Sequence, residues 1–399
     1  MGQFDPLPGA RPQVECASRM RSAWVRGGYN ATGGSCSLAS FHQALDPRLA
    51  ASVLSLLRGE APAFTPDREA IDVWLNRYEL GGYLFAQWSA DGRLTSLPVV
   101  WQEAFRRAHR KTAVDSLAAL AEFRLLGRFL VDLRVPVIVL KGGAYLNDLY
   151  QDPGTRRLTD IDLLMHREDA GRLARRLLDA GYRGETAVDY PWNRRFEMWR
   201  PVEGACRFEL HWSILDDGPE ALAERLWERS VPVSLEGVPC RRLDPVDAIP
   251  YHSAHLAAHY FGPQLKWVVD LREMLRQWRP DLAAVSTGCS TWRARTATSL
   301  ALTHVSRLFP GEVPTGWIEA LFPGRIQRAL YGLYRSEEPL DLFRVSNESA
   351  WRFPLRPLTM DGPGDALRLG WKALGRAVAR AVGPRRDSAR HVPPWAWCD

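Results

Sequence analysis

Apolar positions recur at helical spacing through the first third of the chain and then change character. Ala44, Leu49, Val53, Leu56 and Leu57 predict an amphipathic helix ending near Gly59. A second helix follows Pro66-Asp67 and shows Ile71, Trp74, Leu75 and Tyr78 on one face. The longest helical stretch runs from Trp101 to Leu133. Its second half carries apolar residues at 117, 120, 121, 125, 126, 129, 130 and 133. Faces of this kind exist to pack on something, and packing is the reading of the whole block.

At Val135 the pattern switches. A β-branched run (Val135, Val137, Ile138, Val139) breaks at Lys141-Gly142-Gly143, and a helix is predicted from Ala144. A second run, Asp160-Ile161-Asp162-Leu163, reads as a strand. Arg167–Ala180 is predicted helical, closing at Gly181. Phe196–Trp199 and Cys206–Leu215 read as strands joined by a turn at Pro201–Gly204, and Glu236-Gly237 joins Val231–Leu235 to Val238–Leu243 in a hairpin. Helices return over Asp247–Tyr260 and Leu265–Trp278 and continue through Leu321. Ala366–Val382 forms a last predicted helix with Arg368, Lys372, Arg376 and Arg380 at four-residue spacing, a basic stripe that most simply faces water.

These elements predict an α+β fold with an α/β core: a small mixed-sheet domain flanked by helical blocks. The expected boundaries are a disordered tail over 1–35, a helical block over 36–134 and a catalytic domain over 135–243. A second helical block follows over 244–335, then a Pro/Gly-rich segment with the basic helix and tail over 336–399.

Composition changes this picture little. The chain has 399 residues, and Lys and Arg exceed Asp and Glu by 6, which suits phosphate-bearing ligands without requiring nucleic acid. The 6 cysteines are scattered with no Cys-x-x-Cys pair, so free thiols in a reducing cytoplasm are expected. The N-terminus shows no signal peptide, and no apolar run reaches the ~18 residues of a membrane span. The 16 tryptophans are spread along the chain and read as packing rather than a stacking platform.

The chemistry concentrates in one short unit. On a strand, Asp160 and Asp162 point to the same face while Ile161 and Leu163 enter the core. Two adjacent carboxylates need a compensating cation, and Mg²⁺, or Mn²⁺ in its place, suits them together with substrate phosphates. Gly142 and Gly143 let a backbone approach a ligand, and the following helix offers free N–H groups to phosphate oxygens. Lys141, Arg156 and Arg157 add charge for a triphosphate. Phe208-Glu209-Leu210-His211-Trp212 alternates, so Glu209 and His211 share a face. Beside the Asp160 strand, Glu209 would complete a three-carboxylate cluster able to hold metal ions; away from it, Glu209 would be an exposed surface residue.

The runs LKGGAYLNDLYQDPGTRRLTDIDLL, LLDAGYR and FELHW resemble the uncharacterised nucleotidyltransferase family of the DNA polymerase β-like nucleotidyltransferase superfamily. The resemblance covers roughly Leu49 to Leu275. Gly142 and Gly143 match its turn, Asp160 and Asp162 its paired acids, and Glu209 its third acid. It implies a Mg²⁺-dependent transfer of a nucleoside monophosphate from an NTP to an acceptor, with release of pyrophosphate. A small molecule or peptide acceptor is favoured over an RNA end. Glu209 would be a metal ligand or the base that deprotonates the acceptor, with His211 as an assistant. Asp270, near the expected cleft, is a weak ligand candidate, and an ion pair with Lys266 is its plain alternative. His252, His255 and His259 share a helix face and read as packing rather than a zinc site. Two other classes stay open: a nucleotide-sugar glycosyltransferase using Asp-x-Asp, and a non-catalytic nucleotide-binding protein.

Overall fold

The computed structural model describes residues 46–186, 195–202, 204–214, 222–259, 265–322 and 324–325, with short pieces at 359–362, 364–367 and 370–371. All of them belong to one compact unit, Leu45–Asp399. The expected N-terminal tail and the basic stripe lie outside the described residues.

Local chemistry accounts for the helical start. Asp46 caps α1 (Pro47–Leu57), which has proline in its first turn, and Asp67 caps α2 (Arg68–Tyr78) by accepting from the Ala70 N–H at 2.8 Å. The predicted faces are the buried ones: Ile71, Trp74, Leu75 and Tyr78 all enter the core. α3 (Gly81–Ala90) has no counterpart in the apolar pattern. A side chain at Gly81, in its first turn, would come within 2.3 Å of Ala108 Cβ. The glycine is there so that α3 can lie close against α4 (Val99–Leu133).

The sheet follows. β1 (Ile138–Val139) leads into α5 (Lys141–Tyr145), which continues as a π-helical turn over Leu146–Tyr150. The helix thus starts at Lys141 rather than Ala144, and the two glycines form its first turn. β2 (Asp160–Leu164), α6 (Arg167–Asp179), β3 (Arg183–Thr186), β4 (Arg195–Trp199) and β5 (Arg207–His211) come next. α7 (Leu222–Arg229) and the hairpin of β6 (Val231–Leu235) and β7 (Val238–Arg242) complete the domain. Glu236 and Gly237 both have positive φ, the conformation a tight two-residue hairpin turn needs. The helices α8 (Pro245–Ala258), α9 (Leu265–Trp278), α10 (Leu282–Trp292), α11 (Arg295–Leu308) and α12 (Trp317–Leu321) follow.

Among the described residues the strands form one seven-stranded mixed sheet in the order β3-β4-β5-β2-β1-β7-β6. β2–β5 and β1–β7 pair in parallel and the other neighbours antiparallel. Ile161, Leu163, Phe208 and Leu210 are fully buried on one face, which α4 and α6 cover. The alternation that buries them turns Asp160, Asp162, Glu209 and His211 to the other face. No described helix is long and apolar enough to cross a membrane.

Candidate active site

β2 and β5 set the geometry. Their parallel register places Asp162 directly across from Glu209, and Asp160 across from Arg207. His211, one pleat further along β5, reaches back: its Nε2 lies 3.0 Å from Asp162 Oδ1 and 3.1 Å from Glu209 Oε2. A carboxylate oxygen only accepts, so Nε2 carries the proton and shares it between the two acids. Asp162, Glu209 and His211 bring their ligand atoms within 4.8 Å of one another.

Lys141 closes the cluster from the other side. It sits at φ 47°, an uncommon conformation for a side-chain-bearing residue, and its Nζ donates to Asp162 Oδ1 at 2.8 Å. Burial disfavours the charge on Lys141, but Asp162, Tyr251 and Glu209 more than offset it and hold the amine above its usual range. Asp162 is only 4 % exposed. Burial works against its charge, and Lys141 and His211 overcome that, keeping its carboxyl well below the ordinary range. His211 moves the opposite way: burial lowers its pKa, and the hydrogen bonds to Asp162 and Glu209 raise it further than burial lowers it.

Asp160 shares the face but stands at the open end of β2. Solvent reaches it, yet enough protein surrounds the carboxyl, with Asp162 beside it, to raise its pKa. Its oxygens fall outside the tight group of ligand atoms. His211, expected only as an assistant, takes that place. The alternation in FELHW was the available signal, and it did not reveal that the imidazole would turn toward both acids.

Gly142 and Gly143 are packed rather than open. A Cβ at Gly142 would meet Arg156 NH1 at 2.6 Å, and one at Gly143 would meet Val139 Cγ1 at 2.8 Å. Arg156 itself is committed elsewhere: its Nε lies 2.9 Å and its NH2 2.8 Å from the Asp270 carboxylate, and NH1 donates to the Arg157 carbonyl at 2.9 Å. Tyr150 adds a 2.7 Å hydrogen bond to Asp270. Burial raises the Asp270 pKa and Arg156 more than reverses it. Arg156 and Asp270 thus satisfy each other beneath the glycine turn instead of facing a ligand. The expected Lys266–Asp270 pair is replaced: Lys266 pairs with Glu79, which also holds Arg157 at 2.9 Å. Arg157 further pairs with Asp115 at 2.8 Å. The four-residue spacing failed as a guide because Asp270 is fully buried and Arg156 reaches it first.

The histidine trio packs, as expected. His252 Nε2 donates to the Trp267 carbonyl at 2.7 Å, so its Nδ1 accepts from the Tyr145 hydroxyl at 3.3 Å. His255 and His259 lie against Trp267 with ring centroids 4.6 and 5.0 Å away. Of the cysteines, Cys206, Cys240 and Cys289 are buried and free.

The two carboxylates suit a hard divalent cation, Mg²⁺ or Mn²⁺, and His211 could join them as a ligand only after Nε2 gives up the proton it shares with them. The mixed sheet carries paired acids on one central strand and a third on its parallel neighbour. Residues 66–310 match the model of a family described as uncharacterised nucleotidyltransferase, and the chain belongs to that family. Among solved structures it is similar to an antigenic nucleotidyltransferase-like protein from Paracoccidioides brasiliensis. The likeness has 15 % identity and a TM-score of 0.33, covering 49 % of this chain and 89 % of that one. The comparison with curated proteins finds no match.

Proposed function

We propose that the chain is a metal-dependent nucleotidyltransferase that moves a nucleoside monophosphate from an NTP to an acceptor and releases pyrophosphate. The observation that carries this reading is Asp162 directly across from Glu209 in parallel strands, with the amine of Lys141 from the Lys141-Gly142-Gly143 turn 2.8 Å from Asp162. Asp162 and Glu209 would hold Mg²⁺ or Mn²⁺, with His211 within reach and Asp160 on the same face at the open end of the strand. A bound divalent ion supplies charge stabilisation to the attacking and leaving oxygens of phosphoryl transfer.

The residues of the chain do the positioning. Lys141 is a cation already aimed at the site, able to exchange Asp162 for a phosphate oxygen when a triphosphate enters. Glu209, half-buried and sharing the His211 proton, is placed to ligate or to accept a proton from the acceptor group. Arg156 and Asp270 brace the glycine turn from below. Little covalent chemistry falls to the protein, so orientation and electrostatics supply the rate. A small-molecule or peptide acceptor in a cytoplasmic setting is our reading.

The test is transfer of label from each α-labelled NTP to candidate acceptors, with pyrophosphate release measured in parallel. The wild type should label an acceptor in Mg²⁺ or Mn²⁺, and Asp160→Ala/Asp162→Ala should not. Equal behaviour of the two proteins would remove the proposal. Nucleotide binding without turnover across acceptors would favour the non-catalytic alternative.

A further inference from the structure

Helix α8 brings a residue to the site that no motif points to. Pro250 lies inside this helix, followed by Tyr251, and its neighbour His252 is tied to Tyr145 of the glycine-turn helix. The Tyr251 ring packs on Trp292 with centroids 5.6 Å apart, and the residue is only 2 % exposed. Yet its hydroxyl has no hydrogen-bond partner among the described residues. A buried phenol without a partner loses the hydrogen bonds it had in water, and native structures seldom leave that loss unanswered.

The groups whose charge acts on that hydroxyl are those of the site: Lys141, Asp162, Glu209 and Arg195. Burial keeps the phenol protonated despite Lys141, so it serves as a donor and not as a base. What it lacks is an acceptor oxygen. The anionic oxygens that enter a site lined by Lys141 and two metal-holding acids are phosphoryl oxygens.

We infer that Tyr251 is a substrate contact: its hydroxyl donates a hydrogen bond to a phosphoryl oxygen of the bound nucleotide. The inference rests on the nucleotidyltransferase reading and adds a residue from the helical block to it. Tyr251 would then link nucleotide loading to the seating of α8 on the sheet.

The experiment is calorimetric titration of the full chain with each of the four α,β-methylene nucleoside triphosphates in Mn²⁺, alongside Mn²⁺ alone and a thermal melt. It compares wild type, Tyr251→Phe and Asp162→Asn. Tyr251→Phe keeps the ring on Trp292 and removes only the hydroxyl. It should weaken nucleotide binding by about ten- to hundredfold, the range of a hydrogen bond to a charged group, with Mn²⁺ binding and melting temperature unchanged. Nucleotide binding equal to wild type in Tyr251→Phe, with loss in Asp162→Asn, overturns the Tyr251 contact and leaves the nucleotidyltransferase reading standing. A lowered melting temperature with parallel losses of nucleotide and Mn²⁺ binding marks the hydroxyl as structural and also overturns it. Failure of the wild type to bind any of the nucleotides overturns both.

Discussion

Asp162 and Glu209 face each other across the parallel register of β2 and β5, and a single imidazole proton from His211 bridges their carboxylates at 3.0 and 3.1 Å. Parallel neighbours of this kind need a long crossover, so the two acids belong to distant parts of the chain yet meet at one imidazole.

Removing either acid should therefore abolish specific Mn²⁺ binding, measured by electron paramagnetic resonance in the absence of nucleotide. His211→Gln should weaken it roughly 10–100-fold, as expected for a partner that orients ligating carboxylates. An unchanged affinity in His211→Gln would show that the imidazole has no part in holding the ion.

The Arg156–Asp270 pair predicts a stability phenotype. Asp270 is 0 % exposed and Arg156 offers it two nitrogens, so Asp270→Ala leaves an uncompensated buried guanidinium. The expected cost is about 3–5 kcal/mol in urea unfolding. Replacing both partners with apolar residues, Arg156→Met with Asp270→Leu, should recover most of it. A loss below about 1 kcal/mol for the single variant would contradict the assignment.

Gly142→Ala tests the floor of the turn. The new methyl would lie 2.6 Å from Arg156 NH1 and 3.1 Å from Leu158 Cδ1. Arg156 is held by Asp270 and cannot swing away freely. Overpacking of this kind costs about 1–3 kcal/mol, and the displaced backbone should also weaken nucleotide binding in the titration described above.

His252 makes stability depend on pH. Burial, the dominant influence and only partly opposed by Asp270, lowers its pKa below the usual 6.5. The unfolded chain then binds the proton first as pH falls, so this contribution is complete above about pH 6.5 and is lost as pH drops through the native value. Unfolding free energies compared between pH 7.5 and 5 should fall for the wild type, with a shallower slope in His252→Gln. Parallel slopes would show that His252 is not buried in its neutral form.

Much of the fold was legible because it depends on spacing within short segments. The faces of α1 and α2, the alternation in β2 and β5, and the Glu236-Gly237 hairpin all follow from local periodicity and turn chemistry, whereas the face expected on α4 is only partly the buried one: Leu117 is exposed and Phe123 is buried in its place. α3 has no counterpart in that reading, and the tertiary structure gives its Gly81 a purpose, close packing against α4. The Lys266–Asp270 spacing misled because a helix brings the two residues within reach without saying which partner is nearer.

Alternation along β2 and β5 is enough to put Asp160, Asp162, Glu209 and His211 on polar strand faces, because their apolar neighbours must enter the core. Which of these side chains meet depends on how the strands are ordered. Register across β2 and β5 joined Asp162 to Glu209 and His211 and left Asp160 at the open end of its strand. Long-range ion pairing drew Arg156 to Asp270, and Lys266 and Arg157 to Glu79. The packing of α8 set Tyr251 within the field of Lys141. Those outcomes depend on strand order and helix seating, which are properties of the assembled core and leave no periodic trace along the chain.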